Sequence, residues 1–490
     1  MGPIIRDHPA RGLHGMYFTS LPFLVLVLAT LALYYLPPLR RFQIGLLIVA
    51  SFVFYGWGQP ALTALLVFSC VINTCCSWQV LTLPPTAPRR RLLWAVGGVA
   101  ANLAVLLFFK YGRLLAGLFI SDLAHYDGPG ALLLGLPLPV GISFFTFQGI
   151  SLLIDVYRAR RDGVDPCVDA PSLRVHATNV FFFKSFFPQL VAGPIVKAHE
   201  FWSQIRAKGL ADIDPGFAVR SLIMGYFLKM VVADNLKDQT YWIQYPLFTH
   251  RSGIDLMVML GAYSMQIFAD FAGYSLIAIG LAALFGYRLP DNFNFPYIAQ
   301  SDSEFWRRWH ISLSSWLREY LYFPLGGNRK GELRTYLNLV LVMVLGGLWH
   351  GAAWSYMVWG AWHGLALAVE RPFLKTWWFT TANPAVQALR ALVVFTWVTA
   401  AWLLFKLPEF GQARAYVASV VGNVHLPATP KLLLVVGLLS APVLIYHAAY
   451  VVERARPGLL APLRLPAYAL MLALTVLNSG TTQAFIYFQF

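Results

Sequence analysis

Long apolar segments alternate with short polar segments along almost the whole chain. In the first quarter the apolar segments cover residues 18–36, 43–56, 61–83 and 92–109. Most of them are close to the roughly 20 residues that a helix needs to cross the hydrocarbon core of a bilayer. A backbone in hydrocarbon must satisfy its own hydrogen bonds, which a helix does within one segment. The pattern therefore predicts an all-α polytopic membrane protein, and we expect Lys110 and Arg113 to snorkel from the end of the fourth span.

The middle of the chain is also apolar, but its segments carry more polar residues than helices that face lipid. We predict a helix at 140–157 that faces the bundle interior, a short or re-entrant segment at 179–194, and a span at 217–232. The stretch 255–287 is long enough for one tilted helix or two short ones. It contains Asp270, far in sequence from the charged residues at its two ends.

Residues 305–370 have the most informative pattern. Apolar and aromatic residues recur at helical spacing over 305–323, which predicts one amphipathic helix that carries His310, followed by a basic turn at 324–330. Between Arg334 and Glu370 the chain has no Asp, Glu, Lys or Arg, and His350 lies in the middle of this run. Glycines on both sides of His350 indicate that two short helices meet there.

The last third predicts spans near 391–404, 432–450 and 467–477, followed by an aromatic tail at 484–490. In total we expect roughly 11 to 13 membrane helices, including short, re-entrant and interfacial ones, around a central funnel or tunnel. The apolar segments continue through the whole chain, so we expect a single membrane domain over 1–490. Within it we distinguish N-terminal helices (1–130), a core (131–370) and C-terminal helices (371–490).

Composition supports a membrane protein. Hydrophobic residues make up 58% of the 490 residues and charged residues only 12%, whereas soluble domains average about 25% charged residues. The net charge of +15 comes from short Lys and Arg clusters between apolar spans, which is typical of cytoplasmic loops and anionic lipid rather than of nucleic-acid binding. We therefore place 89–91 and 329–330 in the cytoplasm.

The four cysteines have no zinc-type spacing, and we expect them to be packing residues. Neither a metal nor a cofactor is expected. No small-residue cleavage site follows the first apolar segment, so we expect that segment to be retained as a helix.

An ionisable side chain in hydrocarbon is costly, and it is a functional-site candidate by default. Neutral imidazole can remove a proton near neutral pH, so His350, with His310, could activate a hydroxyl toward a thioester. The sequence has no G-x-S-x-G elbow and no cysteine close to His350, which favours direct transfer over an acyl-enzyme. The simpler alternative is that both histidines are buried polar residues with satisfied hydrogen bonds.

The remaining ionisable residues leave several interpretations open. Asp270 is protonated, paired with a buried cation or histidine, or faces water; a helix–helix hydrogen bond would also explain it. We expect His363 to be a packing or interfacial residue. Two other functions fit paired membrane histidines: a haem-binding electron carrier, and a transporter that uses Asp270 and the histidines as a proton relay.

Several motifs carry a family resemblance. They are FWRRWHISLSSWLREYLY at 305–322, PLGGNR at 324–329, LWHGA at 348–352, NFNFPY at 292–297, FFPQLVAGPI at 186–195, FADFAGY at 268–274 and FIYFQF at 485–490. In these motifs the chain resembles the membrane-bound O-acyltransferase (MBOAT) family, and it is most similar to the bacterial alginate O-acetyltransferase branch. The turn at 324–329 fits the alginate or peptidoglycan acetylating branch better than the teichoic-acid D-alanylation branch.

The resemblance implies a function and a set of site residues. His350 matches the catalytic histidine of the family and His310 its second active-site histidine. The implied donor is a cytosolic acyl thioester, acetyl-CoA in our interpretation. The acetyl group would pass outward for O-acetylation of an extracytoplasmic polysaccharide (alginate-like, cellulose or peptidoglycan), with a periplasmic SGNH-type acetyltransferase or polysaccharide-synthesis protein as partner. We assign to substrate binding Asp270, Trp306, Arg307, Arg318, Trp349 and Asn294, and expect a basic rim that also contains Arg308, Arg329 and Lys330.

Overall fold

The computed structural model describes residues 16–480, except 59, 121–127, 129–135, 137, 165–167 and 192. Within these residues all regular secondary structure is helical, which confirms the predicted all-α fold class. The polar N-terminal segment 1–15, Cys167 and the aromatic tail at 484–490 lie outside the described residues.

The N-terminal part contains four apolar helices near their predicted positions. They are α1 (Leu21–Tyr34), α2 (Gln43–Gly56), α3 (Pro60–Thr82) and α4 (Pro88–Leu106). A wide π-helical turn, Leu107–Tyr111, joins α4 to α5 (Gly112–Ala116). The chain therefore stays helical beyond the predicted end of the fourth span, and Pro88–Ala116 forms one candidate span of 29 residues.

The middle of the chain forms the most buried part of the molecule. Its helices are α6 (Ile142–Asp162), α7 (Leu173–Ser185), α8 (Phe187–Leu190), α9 (Ala198–Phe201), α10 (Pro215–Tyr226), α11 (Asp234–Thr240) and α12 (Gly253–Leu284). A second π-helical stretch, Phe227–Ala233, joins α10 to α11. Helix α12 is a single helix of 32 residues, and 89% of its most apolar window is buried. It is therefore the central helix, because a helix that is apolar all round must be covered by other elements.

The remaining helices follow the predicted order with two additions. They are α13 (Asp302–Arg308), α14 (Ile311–Leu317), α15 (Glu332–His350), α16 (Trp354–Glu370), α17 (Trp377–Thr380), α18 (Pro384–Lys406), α19 (Phe410–Gly422), α20 (Pro430–Ala455) and α21 (Ala461–Leu477). The sequence predicts neither α17 nor α19. Eight helices of the described chain are long and apolar enough to cross a membrane, and α1 and α21 are shorter apolar helices. The chain is a multi-pass membrane protein.

Helices α15 and α16 form a tightly packed hairpin. A Cβ atom at Gly347 would overlap the main-chain oxygen of Tyr356, and one at Gly360 would overlap that of Met343. Small residues at such positions allow two membrane helices to approach closely, and dispersion contacts then hold them together. The predicted meeting of two helices near His350 is confirmed, because α15 ends at His350 and α16 begins at Trp354.

The basic clusters lie at one end of the molecule. Arg91 donates hydrogen bonds to the main-chain oxygens of Leu83 and, at 3.4 Å, of Arg160. Arg158, half a turn earlier on the same helix, donates to the main-chain oxygen of Glu319 at 3.1 Å. The contacts link the start of α4, the end of α6 and the segment that precedes the basic turn at 324–330. The two clusters that we assigned to the cytoplasm therefore share one face.

Candidate active site

His350 is the last residue of α15 and is buried. Helix α15 begins at Glu332, so about 27 Å of helix separates the basic end of the molecule from His350 at 1.5 Å per residue. Against a hydrocarbon core of about 30 Å, this length of helix carries the histidine most of the way across the membrane from the basic end. Its imidazole packs against Trp359 and Phe405, with ring centroids 5.3 Å away in both cases.

Two residues from the end of the fourth span hold the last turn of α15. Tyr111 donates to the main-chain oxygen of Leu348 at 2.6 Å. The Lys110 ammonium group donates to the main-chain oxygens of Trp349 and, at 3.1 Å, of His350. The expectation that Lys110 snorkels to the membrane surface is wrong, because its ammonium group finds these inward-lying acceptors instead.

His310 lies at a break between two helices. The predicted continuous helix at 305–323 is wrong: α13 ends at Arg308, α14 begins at Ile311, and a π-helical turn covers Arg318–Tyr322. His310 has φ 43°, in the left-handed region. A residue with a Cβ atom pays about 1–3 kcal/mol for such a conformation, and strain of this kind clusters at functional sites.

The side chain and main chain of Asn292 hold this break in place. Its main-chain oxygen accepts from the Ile311 amide at 3.0 Å, and its Oδ1 accepts from the Ser312 hydroxyl at 2.6 Å. Its Nδ2 donates to the Ser275 hydroxyl on α12 at 3.1 Å. Asn292 is buried, so a buried polar network ties the His310 turn to the central helix.

The two histidines belong to one aromatic cluster. Their ring centroids are 6.2 Å apart. Trp349 packs beside both of them, with its centroid 5.8 Å from that of His310 and 5.0 Å from that of His350. Phe271 of α12 packs edge-on against His310 at 4.6 Å. The structure thus brings together His310, His350 and Trp349 of the predicted site, and one small group could contact both imidazoles.

The other predicted substrate-binding residues lie further out. Trp306 is half-buried and packs on Trp359 and His363. Arg307, Arg318 and Asn294 are exposed. Of the remaining basic rim, Arg329 and Lys330 are exposed, and Arg308 pairs with Glu304 at 2.7 Å. Substrate binding by these residues stays a prediction, since the structure places them outside the histidine cluster.

Asp270 forms part of a buried ion-pair cluster. Its carboxylate lies 2.7 Å from the ammonium group of Lys229, which lies equally close to Asp234. The side chains of all three residues are at most 5% exposed. Of the alternatives left open by the sequence, the structure therefore shows pairing with a buried cation. The adjacent residue Phe271 contacts His310, so the cluster fixes the part of α12 behind this histidine.

His363 is a buried packing residue. Its Nδ1 lies 3.0 Å from a carboxylate oxygen of Asp302, the first residue of α13. Glu370 accepts the main-chain amides of Asp302 and Ser303 at 2.8 and 2.7 Å. Helix α16 therefore anchors the N-terminus of the short helix that leads to His310.

A cavity of about 620 Å³ lies beside this anchor. It is lined mainly by apolar residues of α16 and α18, with Asp302, Glu370 and Arg390 among its polar lining. Neither His310 nor His350 lines it. This cavity is therefore not the predicted tunnel to the histidines, which stays a prediction.

Sequence reasoning missed three residues that organise the site: Lys110, Asn292 and Lys229. Each is a polar or charged residue in or next to an apolar segment. Such residues are functional candidates for the same reason as His350. Lys110 and Lys229 lie near the predicted ends of spans, where snorkelling explains a lysine equally well. For Asn292, the only signal in the sequence is its place in the NFNFPY segment, where the predicted substrate-binding residue is Asn294.

The arrangement is suited to proton transfer in an apolar surrounding. The described rings that pack directly on the two imidazoles are aromatic. A neutral imidazole accepts a proton from a hydroxyl, which makes that oxygen a nucleophile. Among these described packing partners there is no nucleophilic side chain. The geometry therefore supports general-base activation of a bound hydroxyl.

Comparison with known proteins agrees with this chemistry. The model of the membrane-bound O-acyltransferase family matches residues 131–407. The chain is 37% identical to the "Probable alginate O-acetylase AlgI" of Azotobacter vinelandii over 412 residues, which cover 82% of this chain and 78% of that protein. It is 37% identical to the peptidoglycan O-acetyltransferase of Helicobacter pylori over 399 residues, 77% of this chain and 73% of that protein.

A more distant relative is the teichoic acid D-alanyltransferase of Bacillus subtilis. It is 28% identical over 291 residues, which cover 55% of this chain and 69% of that protein. The higher identities to the two acetylating relatives agree with the interpretation of the turn at 324–329. The family match, the two acetylating relatives and the paired buried histidines lead to one conclusion: the chain belongs to the membrane-bound O-acyltransferase family.

Proposed function

We propose that this O-acyltransferase moves an acetyl group from cytosolic acetyl-CoA to a hydroxyl on the outer side of the bacterial inner membrane, for O-acetylation of an extracytoplasmic polysaccharide. The observation that carries the proposal is the pair of buried imidazoles, 6.2 Å apart, at the end of a helix that starts at the basic face. A cytosolic donor and an outer acceptor must meet inside the membrane, and the histidine pair is deep enough to serve both.

His350 acts as the general base in this proposal. Its imidazole takes the proton of the acceptor hydroxyl while the oxygen attacks the thioester carbonyl carbon. A C–O bond forms, the C–S bond breaks, and the thiolate of the leaving group takes up the proton. His310 holds the reacting groups in place, since its turn is fixed by Asn292 and by Phe271. No acyl-enzyme and no cofactor are needed; acetyl-CoA is a substrate.

The basic face supports entry of the donor from the cytosol. Arg307, Arg318, Arg329 and Lys330 are exposed, and guanidinium and ammonium groups bind phosphates such as those of coenzyme A. Positive-inside topology would put cations on this face in any case. The donor therefore threads its acetyl end inward while its phosphates stay at the rim.

Relatives support the choice of acceptor. Those named above act, by name, on alginate, peptidoglycan and teichoic acid. We propose an alginate-like polysaccharide, cellulose or peptidoglycan as acceptor, and a periplasmic SGNH-type acetyltransferase or polysaccharide-synthesis protein as partner. The family membership favours this function over the haem carrier and the proton-coupled transporter.

Oriented membrane vesicles test the proposal. Radiolabelled acetyl-CoA is supplied to the cytoplasmic face, and the label is followed into envelope polysaccharide and its alkali-labile esters on the other face. We expect ester label only with donor on the cytoplasmic face. Equal labelling from the outer face would refute the donor side, and proton-coupled uptake without any acyl donor, or an intense Soret band in the purified protein, would support the two rival functions.

A further inference from the structure

Three consecutive carbonyl groups end the helix that carries His350, and a neighbouring segment captures all three. Tyr111 binds the oxygen of Leu348, and Lys110 binds those of Trp349 and His350. Lys110 also lies 3.4 Å from the hydroxyl of Ser143 on α6. We call Lys110 and Tyr111 the carbonyl clamp.

Helix α15 lacks the usual main-chain cap at this end. The last carbonyls of a helix have no partner within it, and a glycine in the left-handed conformation commonly supplies one by reversing the chain. Gly351, which follows His350, is extended with φ −161°. Without a partner from another segment, carbonyls at this end of the helix would be unsatisfied in an apolar surrounding, at a cost of several kcal/mol per group.

The carbonyl clamp supplies the hydrogen-bond donors that a main-chain cap would otherwise provide. The ammonium group of Lys110 makes charge-assisted hydrogen bonds, which are about twice as strong as neutral ones. A cation at a helix C-terminus also interacts favourably with the partial negative charge of the helix dipole. In addition, the Lys110 ammonium group lies 5.7 Å from the centroid of the Trp349 ring, within cation–π range.

A wide helical turn presents both clamp residues. Lys110 and Tyr111 end the π-helical turn Leu107–Tyr111, a type of irregularity that is often found at functional sites. Arg113, two residues later, is exposed. The inward direction of Lys110 is therefore specific to its position and is not a general property of the basic residues there.

We propose that Lys110 and Tyr111 are positioning residues for the acyl transfer: they fix the last turn of α15 and thereby hold the imidazole of His350 toward His310. The inference rests on the proposed role of His350. Both clamp residues precede residues 131–407, the part matched by the family model. The reaction thus depends on the N-terminal helices as well as on the family core.

The test compares Lys110→Met, Lys110→Arg and Tyr111→Phe with wild type, with Arg113→Met as the matched control. For each variant kcat and the donor KM are measured for transfer from radiolabelled acetyl-CoA to envelope polysaccharide in membrane vesicles. Hydrogen exchange of the main-chain amides in 340–356 is measured on the purified proteins. Because misplacement by about 1 Å can cost about 10²-fold in rate, we expect Lys110→Met to lower kcat by about that factor, with an unchanged donor KM.

The outcomes separate the carbonyl clamp from the role of His350. The proposal requires faster amide exchange at 340–356 in Lys110→Met, and substantial recovery of kcat and of protection from exchange in Lys110→Arg. It also requires a smaller loss of kcat in Tyr111→Phe and no change in Arg113→Met. Normal kcat and normal exchange in Lys110→Met would overturn the clamp, even if His350→Ala is inactive. Faster exchange with normal kcat would overturn positioning, and retained activity in His350→Ala would show that the proposed function itself is wrong. If Lys110→Met does not accumulate in membranes, the same two measurements on Tyr111→Phe decide.

Discussion

The ring centroids of His310 and His350 lie 6.2 Å apart, although His310 lies at the break before α14 and His350 is the last residue of α15. Trp349 fills the space beside both rings. At this separation the imidazoles are too far apart to form a direct hydrogen bond, and close enough to contact the same small group. The pair is therefore arranged to act on a group that comes between them.

His310 is expected to position that group. His310→Ala removes the ring that packs on Phe271 and Trp349, but it leaves His350 in place, so we expect a partial loss of transfer of about 10- to 100-fold. The measurement is initial acetyl transfer per folded enzyme, with the exposed His425→Ala as control. Unchanged transfer in His310→Ala would remove His310 from the site.

The buried cluster of Lys229, Asp234 and Asp270 predicts unequal effects of two substitutions. Lys229→Met leaves two buried carboxylates without their shared cation and should destabilise the fold by about 3–5 kcal/mol. Asp270→Asn leaves the pair of Lys229 with Asp234 intact, so its effect should be smaller. Thermal unfolding in detergent measures both.

The same variants test the predicted substrate-binding role of Asp270. Transfer per folded enzyme in Asp270→Asn should fall if Asp270 binds substrate. Activity near that of wild type would leave Asp270 with its structural role alone. An equal loss of stability in the two variants would contradict the account of the shared cation.

Topology is tested by labelling single cysteines at Arg90 and Arg329, in a background from which the four native cysteines are removed. Both positions are exposed, whereas Arg91 is buried and hydrogen-bonded. Because the basic clusters share one face, both cysteines should react with a membrane-impermeant reagent only after the inner membrane is opened. Labelling in intact spheroplasts would reverse the orientation, and labelling of only one site would contradict the shared face.

Stability should depend on pH through His199. Its Nδ1 lies 2.9 Å from the carboxylate of Asp155, and this hydrogen bond raises the pKa of His199 above its usual value near 6.5. A raised pKa in the folded state means that the charged form is favoured there. The stabilisation is fully present below pH 6.5 and is lost as the pH rises through the folded-state pKa.

We therefore expect His199→Gln to lower the melting temperature more at pH 6 than at pH 8.5. Asp155→Asn should remove the pH-dependent part of this difference, because it removes the partner. The effect should be modest, since the His199 side chain is 39% exposed and solvent screens the pair. Equal losses at the two pH values would contradict the pairing.

Much of the fold could be predicted because apolar length and charge distribution decide where helices cross a membrane. Helix α2 begins and ends where predicted, and the hairpin around His350 followed from glycines in a run without charged residues. The break at His310 could not be predicted, because the helical periodicity of 305–323 continues through it. Only the tertiary hydrogen bonds of Asn292 reveal the turn, and Asn292 comes close to His310 only when the chain folds.

The direction of long polar side chains was equally beyond the sequence. A lysine at the end of a span can reach the membrane surface or a buried acceptor, and the choice depends on which carbonyls other helices leave open. Lys110 faces the uncapped end of α15 and Lys229 faces two carboxylates. The two carbonyl groups that bind Lys110 belong to residues 239 and 240 positions away in sequence. Asp270 is 41 residues from Lys229.

Acetyl transfer by His350→Ala tests the central claim most directly. The variant should reach the membrane and unfold at a temperature close to that of wild type, because the substitution removes one ring and leaves the main-chain contacts of Lys110 in place. Transfer from acetyl-CoA, measured per folded enzyme beside the His425→Ala control, should fall by about 10²–10⁴-fold, the contribution of a positioned general base. A folded His350→Ala enzyme that keeps most of its transfer activity would contradict the account.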